Sequence, residues 1–151
     1  MSVQVRELPA MRVVGLTVST YPLGHPKNNP MLIPQLWDFL MQQIEAAGIT
    51  FTGPMYGVMQ MDGESMNYLA GFASDQEFEN FEEWEIPSAK YAVFEHRGDL
   101  RWLGRTLQDI FTVQFPNSGL EQTSGYSLEV YDDRFQPGSE ESVFELLFPV
   151  K

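Results

Sequence analysis

The stretch YSLEVYD, residues 126–132, sets Glu129 between Leu128 and Val130 on a segment whose period of two marks a strand. A carboxylate on a covered strand costs several kcal/mol to desolvate unless it is paired, hydrogen-bonded or protonated. It therefore wants a cation. No Lys or Arg lies on this strand or on the similar YGVMQMD at 56–62, and the whole chain has nine such residues. An external cation is the economical partner. A lipophilic cation is also held by ring faces, each contact adding roughly 0.5–2 kcal/mol. The candidate rings are Tyr68, Trp84, Phe111 and Tyr131, with Met59 as a soft apolar neighbour. Phe111 sits on an apolar helix stripe, where core packing competes with that role. Trp84 lies in FENFEEWEIPSAK, a polar and acidic connector, from which the ring could lid a groove. The same residue types support a second chemistry: a glutamate raised by burial can act as general acid or base while a phenol orients the substrate. Glu129 and Tyr68 could take those parts.

The elements that must carry these residues read as a duplication. Residues 11–20, MRVVGLTVST, form a predicted strand, and YPLGHPKNNP stops it. Ile33 to Ala47 carries Ile33, Leu36, Trp37, Leu40, Met41 and Ile44 at helical steps, with Pro34 early and Gly48 past the end. YGVMQMD and MNYLAGFAS follow as strands joined near Asp62 and Gly63. The order then repeats. AKYAVFEH is a strand, Asp99 can cap a helix from about 100 to 115, and YSLEVYD and SVFELLFPV are strands. Tyr56 and Asp62 recur as Tyr126 and Asp132, 70 residues on, and Phe72 recurs as Phe148, 76 on. A longer loop after Asp132 accounts for the difference. We therefore expect one α+β domain over residues 1–151, with repeats at about 1–75 and 86–151. Each repeat is strand, helix, strand, strand, and together they make one antiparallel sheet with both helices on one face and a central groove.

In the repeat, Glu129 matches Met59. Alternation puts Ser127, Glu129 and Tyr131 on one face and Tyr126, Leu128 and Val130 on the other. If the second set packs on the helices, Glu129 points away from them.

Composition narrows the classes. Nine basic against twenty-one acidic residues give a net charge of −12, which repels phosphate backbones and argues against direct nucleic-acid binding. The chain has no cysteine, so disulfides, thiolate metal sites and a cysteine nucleophile are excluded. No segment approaches the roughly 20 apolar residues of a membrane span, and the N-terminus lacks a signal-peptide core. A cytoplasmic location is expected. His25 and His96 show no metal-ligand or triad spacing, and the glycines are scattered singly, so no metal or cofactor is expected. His96 reads as a structural hydrogen-bonder, and the acidic run from Asp75 to Glu85 reads as a solvated connector.

The repeat layout, IPSAKYAVFEHRG, YSLEVYD and the terminal FELLFPVK together resemble the GyrI-like effector-binding domains, the ligand-sensing half of many AraC-type and multidrug-sensing transcription regulators. The resemblance runs over nearly the whole chain. It implies a groove that binds amphipathic, often cationic, small molecules through aromatic residues and a buried glutamate; as an alternative it implies a hydrolase, since some members of the fold use a glutamate and a tyrosine to add water to strained electrophilic compounds. Glu129 falls on that glutamate. Glu145 sits where relatives often have an acidic residue, although its repeat partner is Leu69. No helix-turn-helix part is present in this sequence, so a freestanding sensor is expected. The family's namesake activity, inhibition of DNA gyrase by protein contact, adds a third class, with gyrase or a transcription regulator as protein partner. An acidic surface would suit docking on a basic one.

Overall fold

A computed structural model describes residues 3–151. Eight strands and two helical runs alternate along the chain. The first repeat comprises β1 (Gln4–Leu8), β2 (Met11–Thr20), α1 (Leu32–Ala47), β3 (Met55–Asp62) and β4 (Ser65–Ala73). The second comprises β5 (Glu82–Ile86), β6 (Ala89–Arg97), α2 (Leu103–Asp109), β7 (Ser127–Tyr131) and β8 (Val143–Val150). The α2 run is longer than its α-helical part. A 3₁₀ turn at Leu100–Trp102 precedes it, where the Asp99 side chain accepts from Arg101 N, and a π-helical turn at Ile110–Gln114 follows. The sheet order is β1, β6, β8, β7, β3, β4, β2, β5, and all pairings are antiparallel.

The acidic connector expected before residue 86 is in part a strand. Glu82–Ile86 pairs with β2, with Glu83 and Glu85 facing out while Trp84 and Ile86 turn inward and Glu82, on their face, ends exposed at the edge beside Thr17. The β1–β6 register, ending at Leu8 with Ala89, resumes without a step at Met11 with Ile86 in β2–β5. Two long strands thus cross the molecule, each interrupted at a proline, Pro9 or Pro87. Because the outer strands continue into strands on the far side of the sheet, the sheet curls on itself. Its inner face holds a core drawn from all eight strands, including Leu8, Val13, Val58, Leu69, Ile86, Val93, Leu128 and Leu147.

The outer face carries both helices. On α1, Leu40 and Ile44 pack over Val14, Tyr68, Ala70 and Phe72. The α2 run packs Ile110 and Phe115 over Phe94, Phe144, Leu146 and Phe148. Between the helices lie β7 and β3. Val58 and Leu128 are repeat partners and also direct cross-strand partners, so a pseudo-twofold axis passes through this pair. His96, buried on β6, anchors the α2 run through Thr106 Oγ1 at 2.7 Å and the Asp99 carbonyl at 2.9 Å. Among the described residues no helix is long and apolar enough to cross a membrane.

Candidate functional site

The face assignment comes out opposite to the expected one. Leu128 and Val130 fill the inner core of the curled sheet, so Glu129 and Tyr131 point outward to the helices. A curled sheet buries an apolar face without help from a helix, an arrangement that strand alternation cannot reveal.

Glu129 is 8% exposed and Tyr68 is 1% exposed. The Tyr68 hydroxyl donates to Glu129 Oε1 at 2.5 Å, and Trp37 Nε1 on α1 donates to the same hydroxyl at 2.9 Å. Tyr131, two residues on and on the same face, also lowers the pKa of the carboxylate. Gly57 is the cross-strand partner of Glu129, and a Cβ there would run into both Glu129 Oε1 and the Tyr68 hydroxyl. The absence of a side chain on β3 lets a phenol from β4 reach a carboxylate on β7. Burial pushes the Glu129 carboxyl above its ordinary range, while the Tyr68 and Tyr131 phenols pull the other way. Both phenols are raised well above theirs, by burial first and by the adjacent carboxylate second. Among the described residues no Lys or Arg pairs with Glu129.

Aromatic rings box the tyrosine end. Trp37 meets Tyr131 edge-on at 5.4 Å, Phe135 does so at 4.7 Å, and Phe144 stacks on it at 4.8 Å. Beyond Tyr131 a cavity of about 590 Å³ opens, lined by Gly53, Pro54, Met55, Tyr131, Asp132, Asp133 and Phe135. Met59, half-buried, is the cross-strand partner of Tyr68 and of Ser127 on the same face.

The structure thus brings together Glu129, Tyr68, Tyr131 and Met59, and it places three other candidates elsewhere. Trp84 lies on the inner face against Tyr126 at 5.9 Å, so the sheet separates it from Glu129 and it lids nothing there. Glu145 also faces inward. Arg6 grips it with two hydrogen bonds of 2.8 Å, and Arg134 stands at 3.7 Å. That pairing, led by the Arg6 hydrogen bond, holds the Glu145 carboxyl below its ordinary range. Phe111 stacks on Phe115 at 5.9 Å and meets Phe148 edge-on at 5.0 Å, as helix packing over β6 and β8 requires. Trp37, which helical spacing alone assigns to the core, belongs to the site. Its signal was an indole N–H on an apolar helix stripe, a donor that must find an acceptor when covered.

Arg6 and Trp84 occupy equivalent places in the two long strands, as Tyr56 and Tyr126 do on β3 and β7. One end of the inner core is therefore ionic, with Arg6, Tyr56 and Glu145, and the other is aromatic.

Comparison with known proteins agrees with this architecture. The chain is 31% identical over 157 aligned positions to the transcriptional regulator BrlR of Pseudomonas aeruginosa, covering 99% of this chain and 56% of that regulator. It thus spans little more than half the length of the curated relative it matches. Among solved structures, SAV2435 bound to tetraphenylphosphonium superposes with a TM-score of 0.79 at 19% identity, covering 100% of this chain and 94% of that one. The EcmrR chain of an EcmrR–DNA complex gives a TM-score of 0.72 at 18% identity, covering 99% of this chain and 57% of that one. At such identities these two show a shared fold. The model of the GyrI-like small molecule binding domain matches residues 1–151, and the chain belongs to that family.

Proposed function

We propose that this domain binds amphipathic organic cations in the groove between its helices, with Glu129 supplying the charge. The observation that carries the reading is a carboxylate buried to 8% exposure, hydrogen-bonded by the Tyr68 phenol, with no basic side chain paired to it among the described residues. Its contrast within the same chain is Glu145, whose burial is matched by Arg6. A cation entering the groove would do for Glu129 what Arg6 does for Glu145. Trp37, Tyr68 and Tyr131 add ring faces and edges, and Met59 adds an adaptable apolar surface. The tetraphenylphosphonium bound by SAV2435 is a lipophilic cation of the chemistry this site would select.

The test is calorimetric titration with a lipophilic cation and a neutral isostere. Glu129→Gln should weaken the cation by at least about tenfold, roughly 1.4 kcal/mol, and spare the neutral compound. Equal loss for both, or no loss, removes the charge assignment.

A hydrolytic reading draws on the same dyad, since a carboxyl raised by burial beside a phenol is suited to proton transfer. Turnover of a strained electrophilic compound, abolished by Glu129→Gln and by Tyr68→Phe, would establish it. Intact compound after long incubation would leave binding as the description.

A further inference from the structure

The duplication makes the two ends of the groove comparable. About the axis through Val58 and Leu128, Glu129 corresponds to Met59 and Tyr131 to Met61, all on the helix-bearing face. One half of the groove carries a carboxylate and a phenol where the other carries two thioethers.

The ends also differ in how they are closed. At the Glu129 end, the loop from Asp132 to Ser142 folds Phe135 onto Tyr131, and Arg134 ties that loop to Glu95 at 2.9 Å and Asp132 at 3.0 Å. The cavity beyond sets Asp133 and the Arg134-bound Asp132 beside Pro54, Met55 and Phe135, so an alkyl chain laid there would lie against two carboxylates that the β3 side lacks. At the other end the β3–β4 hairpin turns in two residues, Gly63 and Glu64, and builds no comparable wall. Met61 there is 53% exposed, and its cross-strand partner Met66 is 7% exposed. With Met59 they make a thioether strip leading from the carboxylate to solvent. A single exposed methionine needs no explanation. This one continues a half-buried apolar path that starts beside the Tyr68–Glu129 pair.

We propose that the groove takes single-chain organic cations laid along β3, with the head at Glu129 and Tyr131 and the tail over Met59 and Met61 toward the β3–β4 hairpin. This rests on the cation reading of Glu129 and adds the ligand's class and direction to it. Met61 then sets the useful tail length. From Gly57, opposite Glu129, to Met61 is four strand residues, about 13 Å, which a tail of roughly ten carbons covers.

The experiment is calorimetry of the full chain with n-alkyltrimethylammonium ions from butyl to tetradecyl, kept below micelle formation. Each added methylene should strengthen binding roughly two- to fourfold until about ten carbons, and then little more. Met61→Ser should bring the plateau roughly three carbons earlier while leaving the butyl compound unchanged, and Met61→Leu should restore the parent ladder. An unchanged ladder in both Met61→Ser and Met59→Ser overturns the tail placement. So does a plateau shortened by Phe135→Ser or Met55→Ser instead, because the tail then runs the other way. Glu129→Gln separates the two layers. If it weakens every tail length equally while Met61→Ser and Met59→Ser both change nothing, the charge reading stands and this inference falls. If Glu129→Gln changes no affinity, both fall.

Discussion

A methyl group added at Gly57 would meet the Glu129 carboxylate and the Tyr68 hydroxyl, so Gly57→Ala must displace one or both. Overpacking of this kind costs typically 1–3 kcal/mol, and here it also pries apart a hydrogen bond of 2.5 Å. Urea unfolding should show that loss, and Glu129→Ala added to it should recover part, since the clash is then relieved. Two independent losses would mean the residues do not share the space the geometry gives them. The carboxylate has its own pH signature. Its folded-state value lies above the unfolded one, so between the two the folded protein holds the extra proton and stability falls as pH rises. The full cost is present above that window. Glu129→Gln carries no such charge, so the variant should be more stable than the parent at pH 7, with the gap closing as pH falls below the ordinary value of 4.5. A gap that widens toward acid would contradict burial as the dominant cause. Glu145 runs oppositely, its lowered value giving stability that is lost as pH falls through it.

At the scale of elements, which face of β5 and β7 points where decides which residues act together. Trp84 packs on Tyr126 inside the curled sheet, so Trp84→Ala should cost about 3 kcal/mol of unfolding free energy yet leave cation affinity within about twofold. A selective loss of affinity without loss of stability would return Trp84 to the groove. Much of this layer was legible in the sequence. Tyr56 and Asp62, repeated as Tyr126 and Asp132, gave the two hairpins, and the spacing of Leu36, Leu40 and Ile44 gave α1. Three features were not. Period-two alternation separates two faces without saying which one a helix covers, and here the curl of the sheet covers the other. An acidic strand such as EEWEI hides its two inward apolar residues among three exposed glutamates. Finally, β7–β8 slides by two residues against its counterpart, since Val58 faces Leu69 while Leu128 faces Leu147 and not Glu145. Repeat alignment cannot show a slip in pairing. That slip sets Leu146, and not Phe144, beside Glu129, and spares Leu128 an acid as its partner.

Over the whole molecule, a net charge of −12 draws any organic cation toward the surface, so attraction alone is no sign of a groove. Location separates the two. Exterior charges act through solvent and lose most of their reach when ionic strength rises from 0.15 to 1 M, as the screening length shrinks from about 8 to about 3 Å. Glu129, buried between the sheet and the helices, is screened much less. A ligand at about a hundred times its dissociation constant stabilises the folded state by about 2.7 kcal/mol, which a thermal-shift measurement resolves. For a lipophilic cation that shift should survive 1 M salt in large part. It should shrink on acidification as the raised carboxyl of Glu129 takes up a proton, while a neutral lipophile keeps its shift at both pH values. Because relief of the buried carboxylate's cost is part of the cation's binding free energy, the cation's shift is largest where unliganded Glu129 is ionised. Glu129→Gln should therefore flatten the pH dependence of the cation's shift, and not merely reduce its size. A shift that disappears in salt and ignores pH would place the cation on the acidic exterior, and the groove would then need a different occupant.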